Sequence, residues 1–263
     1  MNPSAFDAFA ADYDATFTHT ALGQLLRRRV WHVLADYFQA GETVLELACG
    51  TGEDAVWLAR RGLTVTATDG SAAMVKATAV KAQQNHLTHR IITHHISLQE
   101  LPTHYALRNT QYDHAFSNFG GLNVLADWRP LASALSLRIR PGGHLVLVPM
   151  GPVCPWEIGW YGLRGQWQTA GRRCRQPAMA QIGDNLIPIW YPSARRLKQE
   201  FAPWFESVHL ESLGLWLPPS YLAHGVDRWP RLFATLDRLE RATARLSGGW
   251  GDHYIMVLTR TPD

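Results

Sequence analysis

The sequence is short of cysteine, of long apolar runs and of any excess of charge. Its three cysteines among 263 residues, Cys49, Cys154 and Cys174, are odd in number and far apart. Neither a disulfide framework nor a Cys-x-x-Cys metal site can be read from them, and no metal is expected. No apolar run approaches the roughly 20 residues that cross a bilayer. The opening Met-Asn-Pro-Ser-Ala-Phe-Asp has neither the basic region nor the apolar stretch of a secretory signal, so the expectation is a cytoplasmic protein. Lys plus Arg (25) against Asp plus Glu (22) leaves only +3, which argues against a nucleic-acid partner. Apolar residues are plentiful: 46% are hydrophobic, enough to exclude a disordered chain and to build one large domain or one domain with an insertion.

Four stretches follow one another. In residues 1–40, Leu22, Leu25, Leu26, Val30, Val33, Leu34 and Phe38 recur at helical spacing, and Arg27-Arg28-Arg29 reads as the wet face of that helix. Residues 41–150 alternate short apolar strands with helices. Strands are expected at 43–47, 63–68, 90–94, 112–117 and 144–148. Ser71 is the N-cap of a helix running to about Asn85, and Asp127 caps another carrying Leu131, Leu135 and Ile139. Pro141-Gly142-Gly143 is expected to stop that helix and turn the chain. Residues 151–192 break the rhythm with Trp156, Trp160, Tyr161, Trp167, Trp190 and Tyr191 beside Arg164, Arg172, Arg173 and Arg175. Order returns over 193–263, with a helix opening at Ser193, a strand at 207–210, a long helix over 228–247 and a closing strand at 253–258. Strand and helix in alternation imply an α/β fold with a mostly parallel sheet between helical layers.

The richest twelve residues are Val44-Leu-Glu46-Leu-Ala48-Cys-Gly50-Thr-Gly52-Glu-Asp54-Ala55. A strand enters, glycines let the backbone turn against a ligand, and a helix leaves with its N-terminus aimed at the loop. Gly50-x-Gly52-x-x-Ala55 satisfies a dinucleotide fingerprint, so an NAD(P)-dependent oxidoreductase is one reading. Glu46 argues against it, because a carboxylate there is a poor neighbour for a pyrophosphate and a good one for an ammonium and a sulfonium. Asp69, ending the second strand, is placed to accept two ribose hydroxyls. Adenosine with a cationic tail, S-adenosyl-L-methionine, suits both acids. The bland alternatives are that Glu46 caps local amides and that Asp69 offsets a helix dipole.

Four ordered elements resemble the class I S-adenosylmethionine-dependent methyltransferase family. They are Glu46 to Gly52; Thr68-Asp69-Gly70-Ser71 with Met74 a turn later; Tyr112 to Phe119; and Arg140-Pro-Gly-Gly143 before an apolar strand. The resemblance implies a Rossmann-like three-layer sandwich whose seven-stranded sheet has an antiparallel last strand. It implies that Glu46, Ala48, Gly50 and Gly52 line the methionine end and ribose, and that Asp69 takes the ribose hydroxyls. Gly70 and Met74 would lie against the adenine, and Asn118 and Phe119 near the methyl group. Phe6-Asp7 and Tyr13-Asp14 resemble an N-terminal lid, with Tyr13 closing over the cofactor. The family's acid near the adenine amine is missing after the third strand. In its place stands Ile96-Ser97-Leu98, where Ser97 would serve by a neutral hydrogen bond.

Methyl transfer is an in-line displacement at an activated carbon, in which alignment alone supplies roughly 7–11 kcal/mol. His19, His144 and His253 are candidate bases where the acceptor must lose a proton, although a structural histidine is the plainer reading of each. The fourth-strand Ser117-Asn118-Phe119-Gly120 lacks the prolines of enzymes that methylate exocyclic amines of bases. The acceptor is therefore expected to be a small or lipid-like molecule. Residues 151–192 read as a substrate cover, with Tyr13, Asn123, Trp156, Trp160 and Tyr191 as candidate acceptor contacts, and their Trp and Arg content also suits a membrane surface. A packing cover without substrate contact, and a non-catalytic protein on the same fold, are the alternatives.

Overall fold

The computed structural model describes residues 4–107, 110–182, 185–222 and 229–262. The N-terminal segment comprises a short helix α1 (Ser4–Asp7), a π-helical turn (Asp14–Thr18) and α2 (Ala21–Tyr37). Thr20 caps α2 by accepting the Gly23 amide at 3.0 Å, and a Cβ on Gly23 would fall 1.9 Å from the Phe17 carbonyl oxygen, so only glycine fits. The alternating core then runs β1 (Thr43–Leu47), α3 (Glu53–Arg60), β2 (Thr64–Asp69), α4 (Ala72–Gln84), β3 (Ile91–His95), β4 (Tyr112–Ser117), α5 (Arg129–Ser136) and β5 (Ile139–Leu147). An insertion follows: α6 (Pro155–Gly162), α7 (Trp167–Ala170) and the hairpin β6 (Ala178–Ile182) and β7 (Asn185–Ile189). The chain closes with α8 (Ala194–Phe201), β8 (Phe205–Leu213), α9 (Pro230–Thr243) and β9 (His253–Arg260). Position 228, the expected start of the last helix, lies outside the described residues.

Seven strands form one sheet in the order β3-β2-β1-β4-β5-β9-β8. The first five pair in parallel, while β9 runs antiparallel to both neighbours, as expected for the last strand. The period-2 alternation of the strands sorts their side chains onto two faces. Val44, Val65, Phe116, Val146 and Val257 pack with Leu26, Val30 and Leu34 of α2 and Leu58 of α3. Leu45, Ala115, Leu145 and Met256 pack with Leu131 and Leu135 of α5 and Phe201 of α8. Helices therefore cover both faces of the sheet.

Two local expectations are corrected. Pro141-Gly142-Gly143 does not turn the chain between elements, since α5 already ends at Ser136 and these residues sit inside β5. They bulge out of it: Tyr112 pairs with Ile139, but the next pair is His114 with His144. A Cβ on Gly143 would lie 2.2 Å from the Asp113 carbonyl oxygen, so glycine permits that close backbone approach. Arg27 is not on the wet face of α2. It is 5% exposed because it shares the apolar stripe of Gly23, Leu26 and Val30, where it finds the carboxylate of Asp54.

Candidate functional site

The parallel strands β1 to β4 all deliver their C-terminal ends to one cavity of about 420 Å³. Ala48 and Gly50 follow β1, Asp69 and Gly70 end or follow β2, Ser97 to Glu100 follow β3, and Asn118 to Gly121 with Val124 follow β4. Ser71 and Met74 enter from the start of α4, and Phe6 and Tyr13 close over from the N-terminal segment. The loops are tight. Ala48 and Phe119 are non-glycine residues in the left-handed region, at φ +51° and +42°, a conformation that costs of order 1–3 kcal/mol and clusters at functional sites. Gly50, at φ +56°, has nothing within 4 Å of where a Cβ would project.

Asp69 ties the loops together. Its Oδ2 accepts the Gly50 amide at 2.9 Å and its Oδ1 the Ser71 amide at 2.8 Å. Burial raises its pKa above the ordinary carboxylate value, against the pull of those two amides. Each oxygen keeps a second lone pair for a ligand in the cavity. The Ser71 hydroxyl in turn caps α4 by accepting the Met74 amide at 3.2 Å and donates to Asp7 of the N-terminal segment. Asp14 is strapped down in the same way, accepting from the Thr51 hydroxyl at 2.6 Å and from Lys81 at 2.8 Å. Burial would raise the pKa of Asp14, but these donors outweigh it and hold the group below its usual value.

Behind the glycine loop lies a second charged layer. Asp54 accepts from Arg27, from the Trp31 indole at 2.6 Å and from Asn118 Nδ2 at 2.9 Å. The guanidinium of Arg27 also stands 4.9 Å from the centroid of the Phe119 ring. Glu46 faces the same side of the sheet as Val44 and is 2% exposed, and its Oε2 has no hydrogen-bond partner. Burial, with the nearby charge of Asp54 adding to it and Arg27 opposing, pushes its pKa well above the ordinary value.

The cavity brings together Tyr13, Ala48, Gly50, Asp69, Gly70, Met74, Ser97, Leu98, Asn118 and Phe119 of the residues expected from sequence. Glu46, Gly52 and Ile96 are not in its wall. Strand alternation carries Glu46 beneath the loop. Gly52, at φ +80°, is the N-cap of α3, where a Cβ would lie 2.6 Å from Thr78 Cγ2. Ile96 is packed into the apolar layer with Leu45 and Leu47. Ser97 does not present a free hydroxyl, because its Oγ donates to Glu100 at 2.7 Å. Glu100, three residues later, is an acid in the cavity wall. That spacing, Ser-x-x-Glu, was legible as a capping box.

The acceptor and base candidates fare differently. Asn123 is fully buried and committed, donating to the carbonyls of Met150 (3.0 Å) and Trp190 (2.6 Å) and accepting the Met150 amide (2.9 Å). Tyr191 is buried among Ile187 and Ile189 with Arg173 4.9 Å above its ring. Trp160 faces outward at 40% exposure, Trp156 is half-buried, and neither lines the cavity. His144 sits at the opposite end of the sheet, stacked on His114 and 3.1 Å from the Thr259 hydroxyl, and burial lowers its pKa. His19 is exposed after the π turn. His253 touches the wall, its ring edge-on to Phe119 at 5.6 Å, with Nδ1 3.1 Å from Asp252. Sequence reasoning passed over Arg27, Asp54 and Trp31. The position of Arg27 on an otherwise apolar helical stripe was the available signal.

A family model described as a methyltransferase domain matches residues 44–143. Residues 44–143 carry a methyltransferase domain. This answers the choice left open by the glycine loop against the nicotinamide reading. The demethylmenaquinone methyltransferase of Clavibacter sepedonicus is 30% identical over 142 residues, 54% of this chain and 55% of that protein. The 2-phytyl-1,4-naphtoquinone methyltransferase of a Nostoc species is 32% identical over 125 residues, 45% of this chain and 52% of that one. The chain thus spans about half the length of the curated relatives it matches. In the structure of DhpI with S-adenosylhomocysteine, the methyltransferase domain finds the same fold at a TM-score of 0.60 and 16% identity, over 99% of this chain and 96% of that one. Among the described residues no helix is long and apolar enough to cross a membrane.

Proposed function

We propose that this protein transfers a methyl group from S-adenosylmethionine to a small-molecule acceptor. The observation that carries the reading is Asp69, a carboxylate at the end of β2 with both oxygens anchored on loop amides and facing the cavity. The residues present fit the cofactor. The cavity is of small-molecule size, Gly50 leaves its floor open, and Glu46 supplies an unpartnered carboxyl oxygen beneath the loop, suited to an amine directly or through water. Asp69 would hold the ribose hydroxyls, with Gly70, Met74 and Leu98 against the adenine and Glu100 as the acid for its exocyclic amine. When bound, the cofactor supplies a methyl group already activated for in-line displacement.

The chain's own part is to align and to exclude water. Phe6 and Tyr13 cover the cavity, held by Asp7 and Asp14, and Phe17 meets Phe119 edge-on at 4.9 Å. Burial pushes the Tyr13 phenol up to about 12, so it stays protonated at neutral pH and does not serve as a base. The relatives' names favour a quinone-type acceptor, reached through this aromatic edge. In this reading residues 1–40 are the lid and 41–150 the cofactor-binding core, with 193–263 completing the sheet. Residues 151–192 form an outer cover that braces the core.

Calorimetric titration with S-adenosylhomocysteine, run beside NAD and NADP, is the test. Micromolar binding of the first that is lost in Asp69→Ala is expected. Binding of a nicotinamide nucleotide alone would overturn the reading. Silence toward all three would leave a non-catalytic protein on this fold. Transfer of label from methyl-labelled cofactor to a reduced naphthoquinone then tests the acceptor class.

A further inference from the structure

The insertion turns its most apolar residues toward solvent. On α6 and the turn after it, Ile158 is 45% exposed, Trp160 40% and Leu163 90%, and Trp167 at the start of α7 is 71% exposed. A run of exposed apolar side chains of this size marks an interaction surface. The charge around it has one sign. From Ile158 to Gly183 the sequence holds Arg164, Arg172, Arg173 and Arg175 and no acid. Glu157, just before, is buried and held by Arg172 and Arg173, so it presents no negative charge to solvent. Arg164 lies flat on the Trp160 ring, its guanidinium carbon 3.4 Å from the centroid.

We infer that the α6–α7 tip docks on an anionic lipid bilayer. Leucine at the apex, tryptophan rings beside it and an arginine snorkelling along one ring are the chemistry of the acyl–headgroup boundary. Arg164 and Arg175, the two exposed arginines of this stretch, match a negatively charged surface. A neutral or acidic rim would have matched a different partner. The contact is peripheral, since the exposed tip spans only about three turns of chain. It stands independently of the methyl-transfer reading, because none of these four residues lines the cavity.

The test is flotation of the full-length protein with phosphatidylcholine vesicles, with and without 30% phosphatidylglycerol (roughly, a charge density at which surface potential is felt). Wild type is expected to partition at least about tenfold more onto the anionic vesicles. Leu163→Glu should lose that preference, and Arg164→Glu should lower it and flatten its salt dependence. S-adenosylhomocysteine binding, measured on the same samples, should not change in either variant. Absence of vesicle binding, or binding equal in wild type and Leu163→Glu, overturns the inference. So does a concentration-dependent dimer abolished by Leu163→Glu without vesicle binding, which would assign the tip to a second copy. Vesicle binding without homocysteine-nucleoside binding would overturn the proposed function and leave the docking surface standing.

Discussion

The N-terminal segment and the 151–192 insertion are both aromatic-rich segments at the carboxyl edge of the same sheet, yet they are used in opposite ways. The N-terminal segment puts Phe6 and Tyr13 into the cavity wall and is fastened by acids: Asp7 to Ser71 and the Ala73 amide, Asp14 to Thr51 and Lys81. The insertion spends its charges inward. Arg173 bridges Glu157 at 2.7 Å and Asp252 in the turn before β9, and also donates to the Gly151 and Asp252 carbonyls at 3.1 and 2.9 Å. With its buried face so occupied, Trp160 and Trp167 are left outside. Where a segment's charges find partners decides which of its faces is buried. Aromatic content does not.

Four substitutions would break or sharpen that comparison. The largest effect is expected from Asp69→Ala, which removes a doubly anchored carboxylate. Affinity for S-adenosylhomocysteine should fall about 100-fold or more by calorimetry, in line with charged hydrogen bonds worth roughly 1.5–3 kcal/mol each. Next is Arg173→Met. Removing the guanidinium that buried Glu157 and Asp252 share, which leaves them Arg172 and His253, should cost about 3–5 kcal/mol in a denaturant titration, with cofactor affinity nearly unchanged if the insertion and the cavity are separate.

The same network predicts a pH dependence. Burial would raise the pKa of Asp252, but His253 and Arg173 hold it well below the ordinary value, and Glu157 is likewise lowered by its arginines. A depressed folded pKa means a contribution that is complete above the unfolded value, near 4, and lost as pH falls toward the folded one. Thermal melts of wild type should therefore drop steeply below about pH 4, and Arg173→Met should flatten that drop. Asp14→Ala should weaken cofactor affinity by roughly three- to tenfold, through a faster off-rate in stopped flow, at a stability cost of about 1 kcal/mol for the half-exposed pair with Lys81. The smallest effect belongs to Leu163→Glu, which should stay within about 0.5 kcal/mol of wild type in stability and act only on vesicle partitioning.

Much of the cavity was legible because its parts are local. Ser71 and Ser193 cap their helices as expected, accepting from Met74 and Arg196. β1 and β4 fall on the expected residues. Eight of the ten expected residues in the wall are tied to the end of a strand in a known order; Met74 comes from α4 and Tyr13 from the N-terminal segment. Glu46 and Asn123 were misplaced because their neighbours across space were unknown, while Ser97 reaches the wall with its hydroxyl already engaged. Glu46 turns to the sheet face covered by α2 and α3, Ser97 is taken by Glu100, and Asn123 is consumed by the backbone of Met150 and Trp190.

Strand period, glycine spacing and capping chemistry act over a few residues, so the order of amino acids was enough to specify the parallel core, the loop that turns against a ligand and the carboxylate at the end of β2. The burial of Arg27, the pairing of Glu157 and Asp252 with Arg173, and the outward turn of Trp160 and Trp167 depend on charges brought together from positions 16 to 79 residues apart in sequence. Coulomb attraction and desolvation act through space, and only the folded chain sets those distances.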